Sequence, residues 1–425
     1  MDITNYKRRI LDDKIEHYLK LFGAVCIEGP KYCGKTWAGR YHSKSEVLLH
    51  NTTGEQSNNV ELAKMSPSLI LEGEKPKLID EWQEATNLWD EIRADVDKTG
   101  LKGQYILTGS STPNRSGIAH SGAGRYGKIY LRTMSLFESG DSTGDISLEN
   151  LCKGKIEQKL TGEVDLRNIA RLIIRGGWPG NLDYSPKDSS EIIKEYIDLI
   201  ITDDLYRLDK INRDKHKMKL LLKSLARNES TTVSNMTVKR DIKEIDNEDI
   251  DIDTVASYLN ALDKLYLLDN DEPFSLNIRS SIRVKQSEKR HFADPSISCA
   301  LLNLTEEKLI NDLETFGLLF EAMVERDLKI YASAFNAKCY HYQDYQNREI
   351  DSIIELENGD WCAFEIKLGA NQIEKAANNL TSIKESIEKE NGKAPSVLCV
   401  ICGLSNAVYK RPDGVFVVPI TALKN

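Results

Sequence analysis

The sequence predicts an α/β protein in which two regions of alternating strands and helices flank a helical middle. Four short apolar runs in the first third alternate with helical stretches, and they lie at 24–27, 47–49, 77–79 and 105–107. This alternation is typical of a mainly parallel sheet covered by helices. From about 150 to 270, apolar side chains recur at helical spacing. Strands return beyond Pro273, where Asn358-Gly359 separates two strand-like runs and predicts a hairpin.

Changes in pattern along the chain predict three domains. Length alone favours two or three, at ~100–200 residues per domain. The polar, glycine-bearing stretch 139–145 separates the first α/β region from the helical middle. We therefore expect domains at 1–140, 141–272 and 273–425.

The composition indicates a globular protein with a substantial core. Its 425 residues include 57 Lys+Arg and 66 Asp+Glu, giving a formal net charge of −9, and 40% are hydrophobic. No apolar run approaches the ~20 residues of a membrane span, and the charged start lacks the apolar core of a signal peptide. We therefore expect a cytoplasmic protein with no membrane partner. The negative charge argues against avid non-specific DNA binding but leaves room for a local basic patch.

Eight cysteines are dispersed along this acidic chain, unlike the framework of a disulfide-rich secreted protein. Cys399 and Cys402 have the spacing of a metal-binding or redox pair. Their apolar surroundings, at 396–402, and the lack of a second pair at zinc-site spacing favour a core strand instead.

The strongest motif directly follows the first apolar run and precedes a predicted helix. It reads Gly29-Pro30-Lys31-Tyr32-Cys33-Gly34-Lys35-Thr36. In such a motif the glycines let backbone N–H groups curl round phosphate oxygens. Lys35 then reaches the β- and γ-phosphates, and the Thr36 hydroxyl can ligate Mg²⁺. The strand before the motif and the helix after it favour a nucleotide-phosphate loop over a chance glycine turn.

Two further strands end in polar side chains suited to the same chemistry. Asp80 and Glu81 close an apolar strand, where Asp80 can hold Mg²⁺ through water and Glu81 can polarise an attacking water. The following strand ends in Thr108-Gly109-Ser110. Because functional groups gather at the carboxyl ends of parallel strands, Thr108 or Ser110 can sense a γ-phosphate.

These motifs, in this order, resemble the AAA-superfamily ATPases of prokaryotes that carry a C-terminal domain of uncharacterised function. The similarity continues through 134–138, 176–179 and 289–295. It implies a P-loop NTPase (AAA-like) domain, a winged-helix-like middle and a restriction-endonuclease-like α/β domain at the C-terminal end. It also implies ATP and Mg²⁺ as cofactors, and a homo-oligomer, because such ATPases often complete their sites across subunits. Tyr32-Cys33 departs from the polar residue and Val of many relatives, which casts little doubt on binding because backbone amides hold the phosphate.

An arginine is expected to complete a site of this kind. Hydrolysis often uses an arginine that stabilises charge on the transferring phosphate. Arg125, directly after Gly124, is the preferred catalytic candidate, and Arg132 follows it. The sequence leaves open whether either serves its own site or that of a neighbouring copy.

Residues 214–270 resemble the winged-helix-like segment, with 251–268 in the position of a recognition helix. The run before this helix is strongly acidic and would repel a duplex. We therefore favour packing or partner contact over sequence-specific DNA reading. A local basic patch is the better candidate for nucleic acid, and it comprises Arg279, Arg283, Lys285, Lys289 and Arg290.

A second candidate site lies in the predicted hairpin. Asp351 opens its first strand, and Glu365 and Lys367 project from one face of the second, because strand side chains alternate. Two carboxylates and a lysine can hold a divalent metal and activate water for phosphodiester cleavage. Glu321, with Glu325 one turn later on a predicted helix, can add another carboxylate. The arrangement resembles the restriction-endonuclease-like D…E-x-K pattern, although the same fold can also serve binding or scaffolding.

The sequence therefore predicts a Mg²⁺-dependent protein that binds and hydrolyses ATP and whose C-terminal nuclease-like domain acts on or binds nucleic acid. Two alternatives stay open at this point. One is a metal-dependent nuclease switched by ATP, and the other is a non-hydrolysing protein that binds a partner in an ATP-dependent way.

Overall fold

The computed structural model describes residues 5–49, 58–112, 118–246, 250–275 and 287–425. The chain divides into two compact units. The first unit comprises Met1–Thr133, Asp203–Asn212 and Asn260–Leu267. The second unit comprises Met134–Thr202, Arg213–Leu259 and Leu268–Asn425. The division into three domains stays a prediction.

The α-helices are numbered in chain order. They are α1 (Asp12–Leu21), α2 (Lys35–Tyr41), α3 (Asn59–Met65), α4 (Pro67–Ile70), α5 (Leu88–Thr99), α6 (Leu136–Ser139), α7 (Leu148–Cys152), α8 (Leu166–Arg175), α9 (Pro186–Leu199), α10 (Leu205–Asp209), α11 (Lys215–Arg227), α12 (Asn235–Asp246), α13 (Ile252–Lys264), α14 (Ser296–Leu301), α15 (Glu306–Asn311), α16 (Leu313–Ala334) and α17 (Ile373–Lys389). Among the residues that the structure describes, no helix is both long and apolar enough to cross a membrane.

The strands are numbered in the same way. They are β1 (Ala24–Glu28), β2 (Ser45–Leu48), β3 (Lys77–Asp80), β4 (Tyr105–Gly109), β5 (Tyr126–Tyr130), β6 (Ile146–Ser147), β7 (Lys159–Leu160), β8 (Lys338–Gln343), β9 (Glu349–Glu355), β10 (Trp361–Lys367), β11 (Val397–Cys402), β12 (Ala407–Lys410), β13 (Phe416–Pro419) and β14 (Leu423–Lys424).

The first unit is built on a five-stranded sheet with the order β2-β3-β4-β1-β5. All four pairings are parallel, which confirms the predicted sheet. Side chains of β1 enter two separate cores, with Cys26 in one and Ile27 in the other. A strand buried on both faces is apolar nearly throughout, which explains the short continuous apolar runs of the sequence. The carboxyl ends of β1, β3 and β4 therefore meet at one edge.

The second unit contains a seven-stranded mixed sheet with the order β7-β12-β13-β11-β10-β9-β8. Strands β9 and β10 pair antiparallel, with Glu355 opposite Trp361 across the Asn358-Gly359 turn, which confirms the predicted hairpin. Helix α17 contributes Ile373 and Leu380 to the core of this sheet. Helix α17 thus covers part of this sheet, and α16 also packs against β8, β9 and β10.

The cysteine pair in β11 lies in the core, as predicted. Every residue of this strand is buried, and β11 lies between β10 and β13 in the sheet. All eight cysteines, each within the described part of the chain, are free thiols. Burial raises the pKa of the Cys402 thiol to about 11, so this side chain stays protonated and packs as a small apolar group.

The helical middle forms as predicted, with α11, α12 and α13 covering most of 215–264. Isolated antiparallel bridges then join Leu268 to Phe292 and Asp271 to Lys289. Helix α13 begins at Ile252, close to the start predicted for the recognition helix. The winged-helix assignment of this segment stays a prediction.

Two motifs that are individually weak in the sequence meet around one buried carboxylate in the second unit. Asp294 Oδ2 accepts hydrogen bonds from the Gly177 N–H at 3.0 Å and from Arg326 Nη1 at 2.9 Å. The Trp178 indole N–H donates to the Ser296 hydroxyl at 2.9 Å. Burial works to raise the pKa of Asp294, but Arg326 and the hydrogen bonds from Ser296 and Gly177 together outweigh it, so the pKa lies below its usual value. The two motifs therefore stabilise the fold of the second unit through these contacts.

Gly177→Ala is expected to destabilise the second unit by about 1–3 kcal/mol, because an added Cβ would lie 2.1 Å from the Met134 carbonyl oxygen. Gly317→Ala in α16 is the matched control. Apart from its chain neighbours and the backbone of its own helix, no heavy atom of the described residues lies within 4 Å of its added Cβ, so we expect an unchanged or higher stability. Urea unfolding followed by circular dichroism measures both, and equal midpoints for the two variants would contradict this account of the turn.

Candidate functional site

The octapeptide Gly29–Thr36 forms the turn between β1 and α2. Two of its glycines are required by the backbone. Gly29 has φ +154° and an added Cβ would lie 2.2 Å from the Leu131 carbonyl oxygen, and Gly34 has φ +99°. Glycine tolerates such conformations and leaves the backbone open to close approach. The chain therefore forms a turn that depends on glycine where the sequence predicts a phosphate loop.

Side chains of the first unit form hydrogen bonds that fix the conformation of the loop. Lys35 Nζ donates to the Pro30 carbonyl at 2.7 Å, and the Cys33 thiol donates to the Leu131 carbonyl at 3.2 Å. Arg9 braces the outside of the loop, with Nη1 donating to the Cys33 carbonyl at 3.0 Å. These contacts hold the loop in one conformation and keep the Lys35 ammonium within it.

Asp80, at the carboxyl end of β3, joins three elements through one oxygen. Its Oδ1 accepts from the Thr36 hydroxyl at 2.8 Å and from the Thr108 hydroxyl at 2.5 Å. The parallel register places Asp80 directly opposite Thr108. Both Asp80 and Thr108 are fully buried. The structure thus brings together three of the predicted site residues.

Glu81 turns the chain away from β3 in a left-handed conformation, with φ 59° and ψ 47°. Its Oε2 accepts from the Ser110 hydroxyl at 2.7 Å and also from the Gln83 side-chain amide. These donors fix the direction of the carboxylate. The role of Gln83 was not predicted. Its position two residues after Glu81, in a short helical turn, is the sequence signal that could have indicated a contact with the Glu81 side chain.

A cavity of about 650 Å³ opens beside these residues. Lys31, Thr36, Asp80, Glu81 and Ser110 line it together with charged residues from a distant stretch of the chain. The latter are Asp204, Arg207 and Lys210. Lys31 Nζ and Asp204 Oδ1 form an ion pair at 2.7 Å. Sequence reasoning missed this stretch, which lies in a region of ordinary helical periodicity and carries no motif.

Arg125 lies at the other end of the parallel sheet from the phosphate loop. It directly precedes β5, and its carbonyl accepts from the N–H of Ala24, the first residue of β1. The guanidinium Nε donates to Asp97 at 2.7 Å, and the side chain is 46% exposed. A five-residue strand, or about 16 Å, separates it from the loop. The structure therefore does not bring Arg125 to the predicted site of its own chain.

The second predicted site forms a compact cluster in the second unit. Lys367 Nζ lies 2.7 Å from Asp351 Oδ2 and 2.6 Å from Glu365 Oε2. Asp351 Oδ2 also accepts from the Ile366 N–H at 2.7 Å, and Glu365 Oε1 accepts from the Asn379 amide at 2.7 Å. The hairpin thus brings Asp351, Glu365 and Lys367 together as predicted. These contacts join the three side chains to one another, to the Ile366 backbone and to Asn379.

Glu321, the third carboxylate predicted for this site, is ion-paired with Lys289. This Lys289 was predicted to lie in a surface basic patch, and the structure contradicts that. Its side chain is only 8% exposed, and its Nζ lies 3.1 Å from the Asp351 carbonyl. Arg290 is partly buried and bonds to Asn235. The other members of the patch, Arg279, Arg283 and Lys285, lie outside the described residues, so a nucleic-acid surface here stays a prediction.

Burial and neighbouring charge divide the carboxyl groups of this region. Burial works to raise the pKa of Asp351, but Lys367 and Lys289 outweigh it, so the pKa lies below its usual value. Burial, assisted by Asp351, raises the pKa of Glu365 to about 8. Burial, assisted by Asp271, likewise raises the pKa of Glu325 to about 8. Around neutral pH, the cluster therefore holds charged and protonated carboxyl groups side by side.

Comparison with protein families divides the chain into three matched parts. Residues 22–139 match the AAA domain family. Residues 166–308 match DUF8612 and residues 316–423 match DUF4143, both of which are domains of unknown function. The first match covers the whole parallel sheet with its phosphate loop. Residues 22–139 are therefore similar to an AAA domain, and the C-terminal match assigns no activity.

Relatives extend over most of the chain. Two uncharacterized proteins, from Mycobacterium bovis and Mycobacterium tuberculosis, are each 24% identical over 365 residues, which cover 85% of this chain and 74% of theirs. Among solved structures, a Walker-type ATPase of Pyrococcus abyssi is 15% identical, with 68% of this chain and 94% of that chain covered and a TM-score of 0.41. The function must therefore be inferred from the sites themselves.

Glu325→Gln is expected to stabilise the protein increasingly as pH rises. The pKa of Glu325 is raised from its ordinary 4.5 to about 8, so the folded chain retains a proton that the unfolded chain releases. The stabilisation that this proton gives is complete below about pH 4.5 and is lost as pH rises through about 8. Glutamine keeps the size of the side chain and cannot ionise, so it avoids this loss.

Thermal unfolding at about pH 5, 7 and 9 tests this prediction. We expect the difference in Tm between variant and wild type to grow by at least about 2 °C over this range. Glu314→Gln, at an exposed position on the same helix, is the control and is expected to show no such growth. A constant difference for Glu325→Gln would refute the effect.

Proposed function

We propose that the first unit binds ATP with Mg²⁺ and hydrolyses it. The observation that carries this proposal is the contact of Thr36 with Asp80 in the lining of the 650 Å³ cavity, together with the Lys35 ammonium held within the loop. Catalysis of phosphoryl transfer is mostly positioning and charge stabilisation. It requires a phosphate loop, oxygen ligands for Mg²⁺ such as those of Thr36 and Asp80, and a carboxylate of fixed direction such as that of Glu81.

The residues present fit a nucleoside triphosphate. Gly29 and Gly34 give the loop its positive φ angles, and the Lys35 ammonium lies inside it. Arg207 and Lys210 add positive charge to the cavity wall, while Lys31 is paired with Asp204. Three cations therefore line the cavity, and one of them, Lys31, is neutralised by Asp204.

The residues also fit Mg²⁺, which prefers oxygen ligands. The Thr36 hydroxyl and the Asp80 carboxylate oxygen lie 2.8 Å apart, and Thr108 holds the carboxylate from the other side. Bound Mg²⁺ would neutralise charge on the phosphates. Glu81, whose carboxylate direction is fixed by Ser110 and Gln83, would orient and polarise the attacking water.

Two substitutions separate binding from hydrolysis. Lys35→Ala removes the ammonium inside the loop, so we expect nucleotide binding to weaken and hydrolysis to fall on the order of 10²-fold or more. Glu81→Gln keeps the shape of the side chain but not its basicity, so ATP binding is expected to persist while hydrolysis falls on the order of 10²–10⁴-fold.

Fluorescent-nucleotide titration and phosphate release measure the two effects. Lys98→Ala, which changes an exposed lysine of α5, is the matched control and should behave as wild type. If wild type binds Mg²⁺-ATP but releases no phosphate, the alternative of a non-hydrolysing, partner-binding protein replaces this one. Unchanged hydrolysis in Lys35→Ala would remove the proposed site.

We further propose that Arg125 serves the site of a neighbouring copy in a homo-oligomer. The support is its place at the amino end of the sheet, about 16 Å from its own loop, together with its exposure. An arginine brought to the γ-phosphate from another subunit stabilises charge that develops during transfer. An arginine that acts in this way cannot contribute in an isolated monomer.

Mixing two inactive variants tests this role. Arg125→Ala and Lys35→Ala are each expected to hydrolyse ATP slowly, on the order of 10³-fold below wild type for the arginine. In mixed oligomers, an intact loop from Arg125→Ala meets an intact arginine from Lys35→Ala, so part of the activity should return. Hydrolysis per subunit should also rise with protein concentration. No recovery in oligomers shown to be mixed would rule out the shared site.

A further inference from the structure

The C-terminal carboxylate cluster contains two buried lysines, whereas the D…E-x-K resemblance implies one. Lys367 is the lysine of that pattern, in β10. Lys289 enters from a different part of the second unit, where its backbone exchanges two hydrogen bonds with Asp271, at 2.9 and 3.0 Å. These bonds fix the direction from which the Lys289 side chain reaches the cluster.

The Lys289 ammonium is surrounded by oxygen atoms. It is ion-paired with Glu321, it donates to the Asp351 carbonyl at 3.1 Å, and it lies 4.0 Å from Glu325 Oε1. Burial would lower the pKa of Lys289, but these acidic neighbours outweigh burial and raise it above its usual value. The ammonium is therefore a permanent positive charge within the predicted metal site.

A divalent metal does not fit the residues as they are arranged. Mg²⁺ requires several oxygens at ~2.0–2.1 Å in nearly octahedral geometry. The carboxylate oxygens of Asp351 and Glu365 already accept from Lys367, Ile366 and Asn379, and Glu321 is held by Lys289. Within the described ranges, no group of three or more His, Cys, Asp or Glu side chains is placed to hold a metal ion.

We propose that Lys289 takes the position of the divalent cation, so that this site is a lysine-neutralised structural cluster rather than a metal-dependent nuclease. The ammonium supplies the positive charge that Glu321 and Asp351 need for burial, and it cannot coordinate or activate water. The cluster joins α16 to β9 and β10 through charge and carries out no phosphodiester cleavage.

Removing the Lys289 ammonium would leave buried carboxylates with too little positive charge. Lys289→Met keeps an unbranched side chain of similar length and removes its charge. Glu321 is then left without its cation and Asp351 with one fewer, which is costly for buried groups. Either the cluster loses stability or a cation from solution replaces the ammonium, and divalent metals suit such oxygen ligands.

Mn²⁺ binding to the full chain, measured by the electron paramagnetic resonance of free Mn²⁺, is the direct test. All proteins carry Asp80→Asn, which removes the carboxylate proposed to organise metal at the nucleotide site. We expect no Mn²⁺ binding that depends on Asp351. Lys289→Met is expected to gain a site at least about tenfold tighter than any in its parent, and Asp351→Asn should abolish it.

Controls keep the test decisive. Lys338→Met removes an exposed lysine of β8 and should gain no Mn²⁺ site, whereas Lys289→Arg keeps the charge and should also gain none. If Lys289→Met fails to fold, the parent still decides the matter, because Mn²⁺ uptake or cleavage of duplex DNA that Asp351→Asn abolishes would overturn the proposal. A Lys289→Met variant that folds with the stability of its parent and binds no Mn²⁺ would overturn it as well.

Discussion

The first unit depends on the two hydrogen bonds that Asp80 Oδ1 accepts. Thr36 belongs to the start of α2 and Thr108 to β4, so one carboxylate oxygen connects the helix after the phosphate loop with two adjacent strands. This contact requires β3 and β4 to be parallel and in register, because a shift by one residue would turn Thr108 to the opposite face. The contact also requires β3 and β4 to be neighbours in the sheet order and the phosphate loop to lie at the carboxyl ends of the strands.

Burial determines whether the carboxyl groups of the second unit are ion-paired or protonated. Taking an ion out of water costs several kcal/mol even after relaxation, so buried carboxylates must find cations or accept protons. Asp294 finds Arg326 and the Gly177 N–H, and Asp351 finds Lys367. Glu325 instead holds its proton, with a pKa of about 8. The same cost thus produces an ion pair at two positions and a neutral acid at a third.

Contiguous features were readable from the sequence, and long-range contacts were not. The octapeptide, the Asp80-Glu81 pair and the Asn358-Gly359 hairpin are local patterns, and the structure places each where strand direction and alternation predict. Arg207 and Lys210 reach the cavity from a helical stretch far along the chain, and helical periodicity does not encode which cavity a polar residue faces. The position of Arg125 away from its own loop had a usable signal, because 126–130 alternates as a strand whose direction puts its start away from the loop.

Lys289 shows why a charge pattern alone misleads. It stands in a run of basic residues, and such runs are normally solvated, yet the antiparallel bridge to Asp271 turns this side chain inward. Once inside, its ammonium is held by Glu321 and the Asp351 main-chain carbonyl, where it supplies positive charge beside the carboxylates of the D…E-x-K pattern. A bound ion must pay for its own dehydration and leaves when its concentration falls, whereas a tethered ammonium is present whenever the chain is folded. A site that needs only neutralisation is better served by the tethered charge, and a site that must activate water is not.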